Sequence, residues 1–213
     1  MVSNIYSNLR KQVSGLIIVR ASGHSSDSLR QFPQWELCNK SLKALLEEGV
    51  GGVILFGGSI TELQHRCKTL QDWAKNPLLL CADVEECVGQ RFKGGTWLVP
   101  PMALGNLYKK KPSLAVELAK QYGQCTGRQA RNCGLNWVLG PVCDINNNPK
   151  NPVINLRAWG EEEATVSTLI CAFHRGVTKE NLLTCAKHFP GHGDTSIDSH
   201  LDLPILKHNL SQL

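Results

Sequence analysis

A stretch near the carboxyl end of the chain concentrates side chains that can transfer protons. Three histidines and two aspartates fall within the thirteen residues 188–200, among glycines, prolines, serines and threonines that shape loops rather than a core. Asp198 precedes His200 by two residues, and an imidazole steered by a carboxylate can donate and then accept a proton near neutral pH. The alternative is an Asx turn at Asp198 followed by a surface histidine.

The same stretch contains residue types that bind metals. Histidines with three residues between them, as at 188 and 192, are common in metal sites on helices, but Pro190 and the neighbouring glycines oppose a helix here. We therefore predict no metal site, and a metal-dependent hydrolase is the weaker alternative. Its ligands would come from His188, His192, Asp194, Asp198 and His200.

Two other pairs of polar residues follow apolar runs. Lys187 and His188 come directly after a strand-like run, and Asp83 follows another, with Arg91 eight residues further on. Polar residues at the carboxyl ends of strands are where α/β folds carry their chemistry. The alternatives are a buried ion pair at Lys187 with a core histidine, and a surface ion pair between Asp83 and Arg91.

The elements that must position these residues alternate along the chain. Continuous apolar runs, typical of buried parallel strands, predict strands at 15–19, 52–56, 78–82, 135–139 and 182–187. Amphipathic patterns predict helices between them, and Gly49 and Pro112 mark an end and a start. Their apolar faces are Leu42, Leu45 and Leu46; Leu114, Leu118, Tyr122 and Cys125; and Val166, Leu169, Ile170, Phe173 and Val177.

Repeated βα units predict a parallel sheet covered by helices. The first strand is not followed by a Gly-x-Gly-x-x-Gly motif, which weakens a dinucleotide-binding fold. The remaining common α/β architecture is the TIM (β/α)8 barrel, which needs about 250 residues or more. With 213 residues, we expect an incomplete barrel of about five βα units that lacks the C-terminal strands.

The polar block resembles a known family signature. The motif is Lys-His-Phe-Pro-Gly-His-Gly-Asp at 187–194, Asp-Ser-His at 198–200 and Leu-Pro at 203–204, and the segments 136–145 and 151–160 fit as well. It is similar to the glycoside hydrolase family 3 β-N-acetylhexosaminidases. The resemblance implies a retaining glycosidase without a cofactor, which removes terminal N-acetylglucosamine from muropeptides in peptidoglycan recycling. Residues 1–213 would form the N-terminal part of one catalytic domain.

The resemblance also implies roles for individual residues. His200 would be the general acid/base on a mobile loop, with Asp198 as its partner. Asp144 would orient an arginine or serve a structural role, and His192 would shape the loop. The family's nucleophile is an aspartate after the seventh strand, which has no counterpart here, so the chain alone is predicted to be inactive. Substrate contacts are implied for Asp83, Arg91, Arg157, Lys187 and His188.

One segment departs from the family pattern Asp-x-Glu-Gly-Gly-Arg-Val-x-Arg. Glu86, Cys87 and Val88 stand where the family has two glycines and an arginine, although the flanking Asp83 and Arg91 match. Glycines permit backbone conformations that Glu and Cys adopt poorly. We therefore expect an altered loop. An inactive truncated remnant and a broader β-glucosidase remain alternative functions.

Composition narrows the cellular setting. The net charge of +5 is diffuse apart from the lysines at 109–111, and no alternation of aromatic and basic residues indicates a nucleic-acid surface. The nine cysteines lack a Cys-x-x-Cys pair and several lie in apolar runs, which favours free thiols in a reducing compartment. No run approaches the ~20 apolar residues of a membrane span. We expect a cytoplasmic protein that acts on a small sugar and is monomeric when full-length.

Overall fold

A computed structural model describes residues 9–206 and Asn209, so the other residues of the predicted domain lie outside the described part. Contacts divide the chain into two compact units. The first contains the residues up to Trp97 together with 128–138, and the second contains 98–127 and the residues from Leu139. The strands lie mainly in the first unit, and the second unit is mainly helical.

The first unit is a parallel sheet with two helices. Its strands pair in the order β1-β2-β3-β4, with Ile18 opposite Gly52, Gly52 opposite Leu79, and Cys81 opposite Trp137. Leu42 and Leu46 of the first helix are fully buried, and Gly49 ends that helix at φ 100°, as predicted. The elements are β1 (Ile18–Ser22), α1 (Asn39–Glu48), β2 (Gly52–Phe56), α2 (Ile60–Trp73), β3 (Leu79–Ala82) and β4 (Trp137–Val138).

The second unit packs helices through small residues. A Cβ on Gly123 would lie 2.1 Å from the carbonyl oxygen of Phe173, and a Cβ on Gly176 would lie 2.1 Å from that of Lys120. Glycine at these positions therefore lets the two longest helices touch backbone to backbone. The elements are α3 (Met102–Tyr108), α4 (Pro112–Asn132), α5 (Glu163–Lys179) and β5 (Leu183–Thr184), and α4 continues into the first unit.

Four of the five predicted strands have different bounds, and the third begins one residue later than predicted, at Leu79. The first strand begins at Ile18 rather than at residue 15, because the amides of Gly15 and Ile17 bond back to Lys11 and Ser14 in a turn. The fourth and fifth contain two residues each, Trp137–Val138 and Leu183–Thr184. Within the described residues there are five strands alternating with helices, which confirms the predicted α/β class with fewer than the eight strands of a complete barrel.

The predicted apolar face of α4 is also wrong. Leu114 is 46% exposed, and Leu118 and Cys125 are only half-buried, whereas Tyr122 is buried. The face that is buried consists of small residues around Tyr122, which suits the close packing at Gly123. It includes Ala115, Ala119, Thr126 and Ala130. Among the described residues, no helix combines the length and the apolar character of a membrane span.

Candidate active site

Asp144 and His188 meet because two chain segments run in parallel before them. Val142 pairs with Lys187 as a parallel bridge, and the amide of Cys143 donates to the Lys187 carbonyl oxygen at 2.6 Å. Asp144, which follows Cys143, and His188, which follows Lys187, therefore lie at the same edge. There the Nδ1 of His188 lies 2.6 Å from a carboxylate oxygen of Asp144, and the His188 amide donates to the same oxygen at 3.2 Å.

The carboxylate of Asp144 also organises the following loop. Its second oxygen accepts the amide of His192 at 2.6 Å, and the side chain is 1% exposed. Burial by itself would raise the pKa of Asp144, but the hydrogen bonds from His188 and His192 outweigh burial and lower the pKa below its ordinary value. Asp144 is therefore an ionised carboxylate that holds the histidine segment. Arg157, the arginine that Asp144 was predicted to orient, donates to the carbonyl oxygen of Val153 at 3.4 Å.

Residues of the loop after Lys187 fold around His192. Its ring is buried and contacts the hydroxyl of Thr195 through Nδ1, while Asn151 donates to the His192 carbonyl oxygen at 2.6 Å. A Cβ on Gly193 would lie 1.8 Å from the carbonyl oxygen of Ile145, so this position requires glycine. These contacts agree with the loop-shaping role predicted for His192.

The Asp198 and His200 side chains form the predicted pair. The Nδ1 of His200 lies 2.7 Å from Oδ1 of Asp198, and the His200 amide donates to the same oxygen at 2.9 Å. Both of these hydrogen bonds lower the pKa of Asp198, and the one from the backbone amide of His200 has the larger effect. The Asx turn and the imidazole–carboxylate contact are thus present together. The His200 side chain is 81% exposed, so its Nε2 edge is open to solvent.

A hydrogen-bond chain links this pair to the strand end. Ser199, between Asp198 and His200, places its hydroxyl 3.0 Å from Nε2 of His192. His192 is in turn held by Asp144, which holds His188. The acid/base candidate and the substrate-binding candidate His188 therefore belong to one connected segment.

Two open hollows adjoin this segment. One, with about 190 Å³ of space, is lined by Cys143, Asp144 and residues 186–191, which include Lys187 and His188. The second has about 410 Å³ and extends from His188 to Leu203, Pro204 and Leu206. Burial raises the pKa of the Cys143 thiol to about 11, so this cysteine is a neutral lining residue and not a thiolate nucleophile.

Asp83 and Arg91 lie in the first unit, in the loop that follows β3. The Nε of Arg91 donates to the backbone carbonyl oxygen of Asp83 at 3.2 Å, so the two residues are neighbours. Cys87, in the same loop, has φ 75° and ψ 171°, a backbone conformation that residues other than glycine rarely adopt. The backbone has thus kept a glycine-like conformation, and the cysteine is strained there.

This strain predicts the ranking of two variants at position 87. Cys87→Gly should be more stable than Cys87→Ala by about 1–3 kcal/mol, because both lose the buried sulfur but only glycine relieves the strained backbone. At an ordinary position the order is reversed, with glycine less stable by roughly 0.5–1 kcal/mol. Urea unfolding of the two variants measures the difference. Equal stability, or a more stable alanine variant, would contradict the assignment of strain.

Several site residues were missed by the sequence reasoning. Asn151 was quoted only as part of a matching segment, yet it is buried and donates to the carbonyl oxygens of His192 and Gly193. The buried Thr195 hydroxyl donates to the His192 carbonyl oxygen, and the exposed Ser199 contacts the His192 ring. Asparagine next to proline was the one signal of a turn at 151–152. Within the described residues, no cluster of three or more His, Cys, Asp or Glu side chains is arranged to hold a metal ion. The metal-dependent alternative therefore lacks a ligand set there.

The fold and the site agree with one enzyme family. Residues 9–213 match the glycosyl hydrolase family 3 N terminal domain, and the chain belongs to that family. It is 33% identical over 182 residues to a beta-hexosaminidase from Thiobacillus denitrificans, covering 84% of this chain and 50% of the relative. It is 35% identical over 161 residues to a beta-hexosaminidase from Bordetella pertussis, covering 73% and 46%. The chain spans about half the length of these curated relatives.

Solved structures give the same result for the fold. NagZ from Neisseria gonorrhoeae, in complex with N-trifluoroacetyl-D-glucosamine, superimposes with a TM-score of 0.77 at 27% identity, covering 92% of this chain and 56% of that one. A family 3 beta-N-acetylglucosaminidase from Paenibacillus sp. superimposes with a TM-score of 0.79 at 30% identity, covering 96% and 37%. The α/β architecture is therefore the N-terminal portion of the TIM-barrel fold of this family.

Proposed function

We propose that the whole protein is a retaining glycosidase that hydrolyses terminal β-linked N-acetylglucosamine, with His200 as its general acid/base. The observation that carries this proposal is the 2.7 Å contact between Nδ1 of His200 and the Asp198 carboxylate, with the ring otherwise open to solvent. The likeness to proteins named beta-hexosaminidases supports the choice of sugar.

The pair can perform both proton transfers of a retaining mechanism. With Nδ1–H donated to Asp198, the protonated ring has an N–H at Nε2 that can protonate the oxygen of the leaving group. After the aglycone departs, neutral Nε2 can take a proton from the attacking water. Asp198 fixes the tautomer and stabilises the imidazolium form, as a carboxylate does in a catalytic triad.

The sugar would be held by groups at the strand ends. Nδ1 of His188 is hydrogen-bonded to Asp144, so Nε2 of that ring would bind a sugar hydroxyl. Lys187 lines the same hollow and supplies a charged donor. We assign the remaining substrate contacts to Asp83, Arg91 and Arg157, and we assign no nucleophile within this chain.

The cellular role follows from the substrate class. Release of N-acetylglucosamine from muropeptides would place the protein in peptidoglycan recycling, as a cytoplasmic monomer in which residues 1–213 belong to the catalytic domain. The nine cysteines, all free thiols within the described residues, are consistent with a reducing compartment.

The stereochemistry of the product tests the reaction. Proton NMR of an aryl N-acetyl-β-glucosaminide digest should show the β-anomer of the free sugar first, with the α-anomer appearing only by mutarotation. An initial α-anomer would contradict a retaining mechanism. Faster release from an aryl β-glucoside would favour the broader β-glucosidase, and no release from either substrate would favour an inactive remnant.

A further inference from the structure

Trp97 is an exposed aromatic ring that the fold holds in place. It is 67% exposed, yet its indole Nε1 donates to a carboxylate oxygen of Glu86 at 2.8 Å. Glu86 is itself only 6% exposed, and its amide donates to the side-chain oxygen of Gln90 at 2.9 Å, which fixes the backbone that carries the carboxylate. A surface tryptophan is usually free to change rotamer, whereas this ring is tethered at its polar edge.

The backbone next to the ring is fixed as well. The amide of Thr96 donates to the Gln129 side chain at 3.0 Å, and its carbonyl oxygen accepts the amide of Gly89 at 2.7 Å. A Cβ on Gly89 would lie 2.4 Å from the carbonyl oxygen of Gly95, so these two segments are in backbone contact. Trp97 therefore presents its apolar face to solvent from a rigid support.

The loop that carries this ring also carries the candidate sugar contacts. Asp83 and Arg91 lie between β3 and Trp97 in the chain, and the Arg91 side chain is exposed beside the Asp83 carbonyl group. A pyranose ring has an apolar C–H face and a rim of hydroxyl groups. A fixed aromatic face suits the apolar face of the sugar, since an indole contributes a large apolar surface at little entropic cost. The same loop supplies a carboxylate and a guanidinium that suit the hydroxyl groups.

We propose that Trp97 is a stacking platform for a second sugar ring of a longer substrate, and that Glu86 is its positioning residue. The ligand class is an oligosaccharide of β-linked N-acetylglucosamine, and the inference rests on the proposed function for its choice of sugar. Glu86 stands where the family pattern has a glycine, so the residue that positions Trp97 belongs to the segment in which this chain departs from that pattern.

Calorimetric titration of the full chain with N-acetylglucosamine and with its β-linked trimer tests the platform. The trimer should bind the wild-type chain roughly ten-fold more tightly than the monosaccharide, as expected for one well-placed tryptophan. Trp97→Ala should remove that advantage and leave monosaccharide binding unchanged. Glu86→Ala should reduce the advantage, whereas Glu86→Gln, which keeps an acceptor for the indole N–H, should retain it. Trp35→Ala, at a tryptophan that is also 67% exposed, is the matched control.

The outcomes separate the two proposals. Equal binding of trimer and monosaccharide, or a trimer advantage that survives in Trp97→Ala or disappears in Trp35→Ala, would overturn the platform while the sugar site stands. Trimer binding that depends on Trp97 without any monosaccharide binding would support the platform and contradict the proposed monosaccharide contacts. Binding of neither sugar would overturn both.

Discussion

Replacement of His200 by alanine is expected to lower kcat of the whole protein by about 10²–10⁴-fold, the usual contribution of a positioned general acid or base. KM should change little, because the ring transfers a proton in the transition state and is not needed to hold the sugar. The measurement is steady-state hydrolysis of an N-acetyl-β-glucosaminide whose leaving group is a second sugar, which cannot depart without protonation.

The identity of the leaving group distinguishes this role from a structural one. With a nitrophenyl leaving group the first step needs no acid, so kcat/KM of His200→Ala should fall much less than it does with the disaccharide, and added azide should restore kcat by replacing the activated water of the second step. His65→Ala, at an exposed histidine on α2, is the control for loss of a surface imidazole and should leave kcat unchanged. An equal loss with both leaving groups, or no loss with the disaccharide, would contradict the assignment.

Asp198 and His200 should behave as one unit. Asp198→Asn should lower kcat in the same direction, and the double variant Asp198→Asn/His200→Ala should be little worse than His200→Ala alone, because residues that act through each other are not additive. Both residues are outside the compact core, and their contact depends on an Asx turn of local sequence. This is why the pair could be predicted from sequence spacing.

The fold could be predicted where an apolar run is bounded by residues that end a strand or a helix, such as glycine. The second strand, Gly52–Phe56, has the predicted bounds, since glycines lie on both sides of one β-branched and aromatic run. The fourth is shorter than its apolar run because the amide of Leu135 still bonds the end of α4. In addition, the amide of Leu80 donates to the side-chain oxygen of Asn136 and not to a backbone carbonyl oxygen of the neighbouring strand.

The remaining differences come from contacts between distant residues. After β5 the chain continues beside 140–142 with the amides of Cys185 and Lys187 donating to Gly140 and Pro141, and a proline cannot return a hydrogen bond to a regular ladder. Asp144 and His188 are 44 residues apart in the sequence, and only the pairing of Val142 with Lys187 brings them together. Neither residue carries a local pattern that would have revealed the contact.

Asp144 is the residue whose loss should cost the most stability. Asp144→Ala is expected to lower the free energy of unfolding by roughly 3–5 kcal/mol, the cost of breaking a buried, hydrogen-bonded charge pair. The change would leave the amides of His188 and His192 without their acceptor inside the loop. Chemical unfolding in urea measures the loss, and hydrogen exchange of these two amides should rise in parallel.

Two other variants and the pH dependence make this prediction specific. The stability of Asp144→Asn should lie between those of the alanine variant and the wild type, since an amide keeps one acceptor oxygen but places its N–H donor against another donor. Asp198→Ala should cost much less stability than Asp144→Ala, because the partner ring of Asp198 is exposed. The folded-state pKa of Asp144 is lowered, so its stabilisation is fully present above the unfolded pKa of about 3.9 and is lost as pH falls through the folded pKa. The gap between wild type and Asp144→Asn should therefore stay constant from pH 7 to about pH 4 and narrow in stronger acid. A gap that widened on acidification, or an Asp144→Ala variant as stable as Asp198→Ala, would show that this carboxylate does not hold the loop.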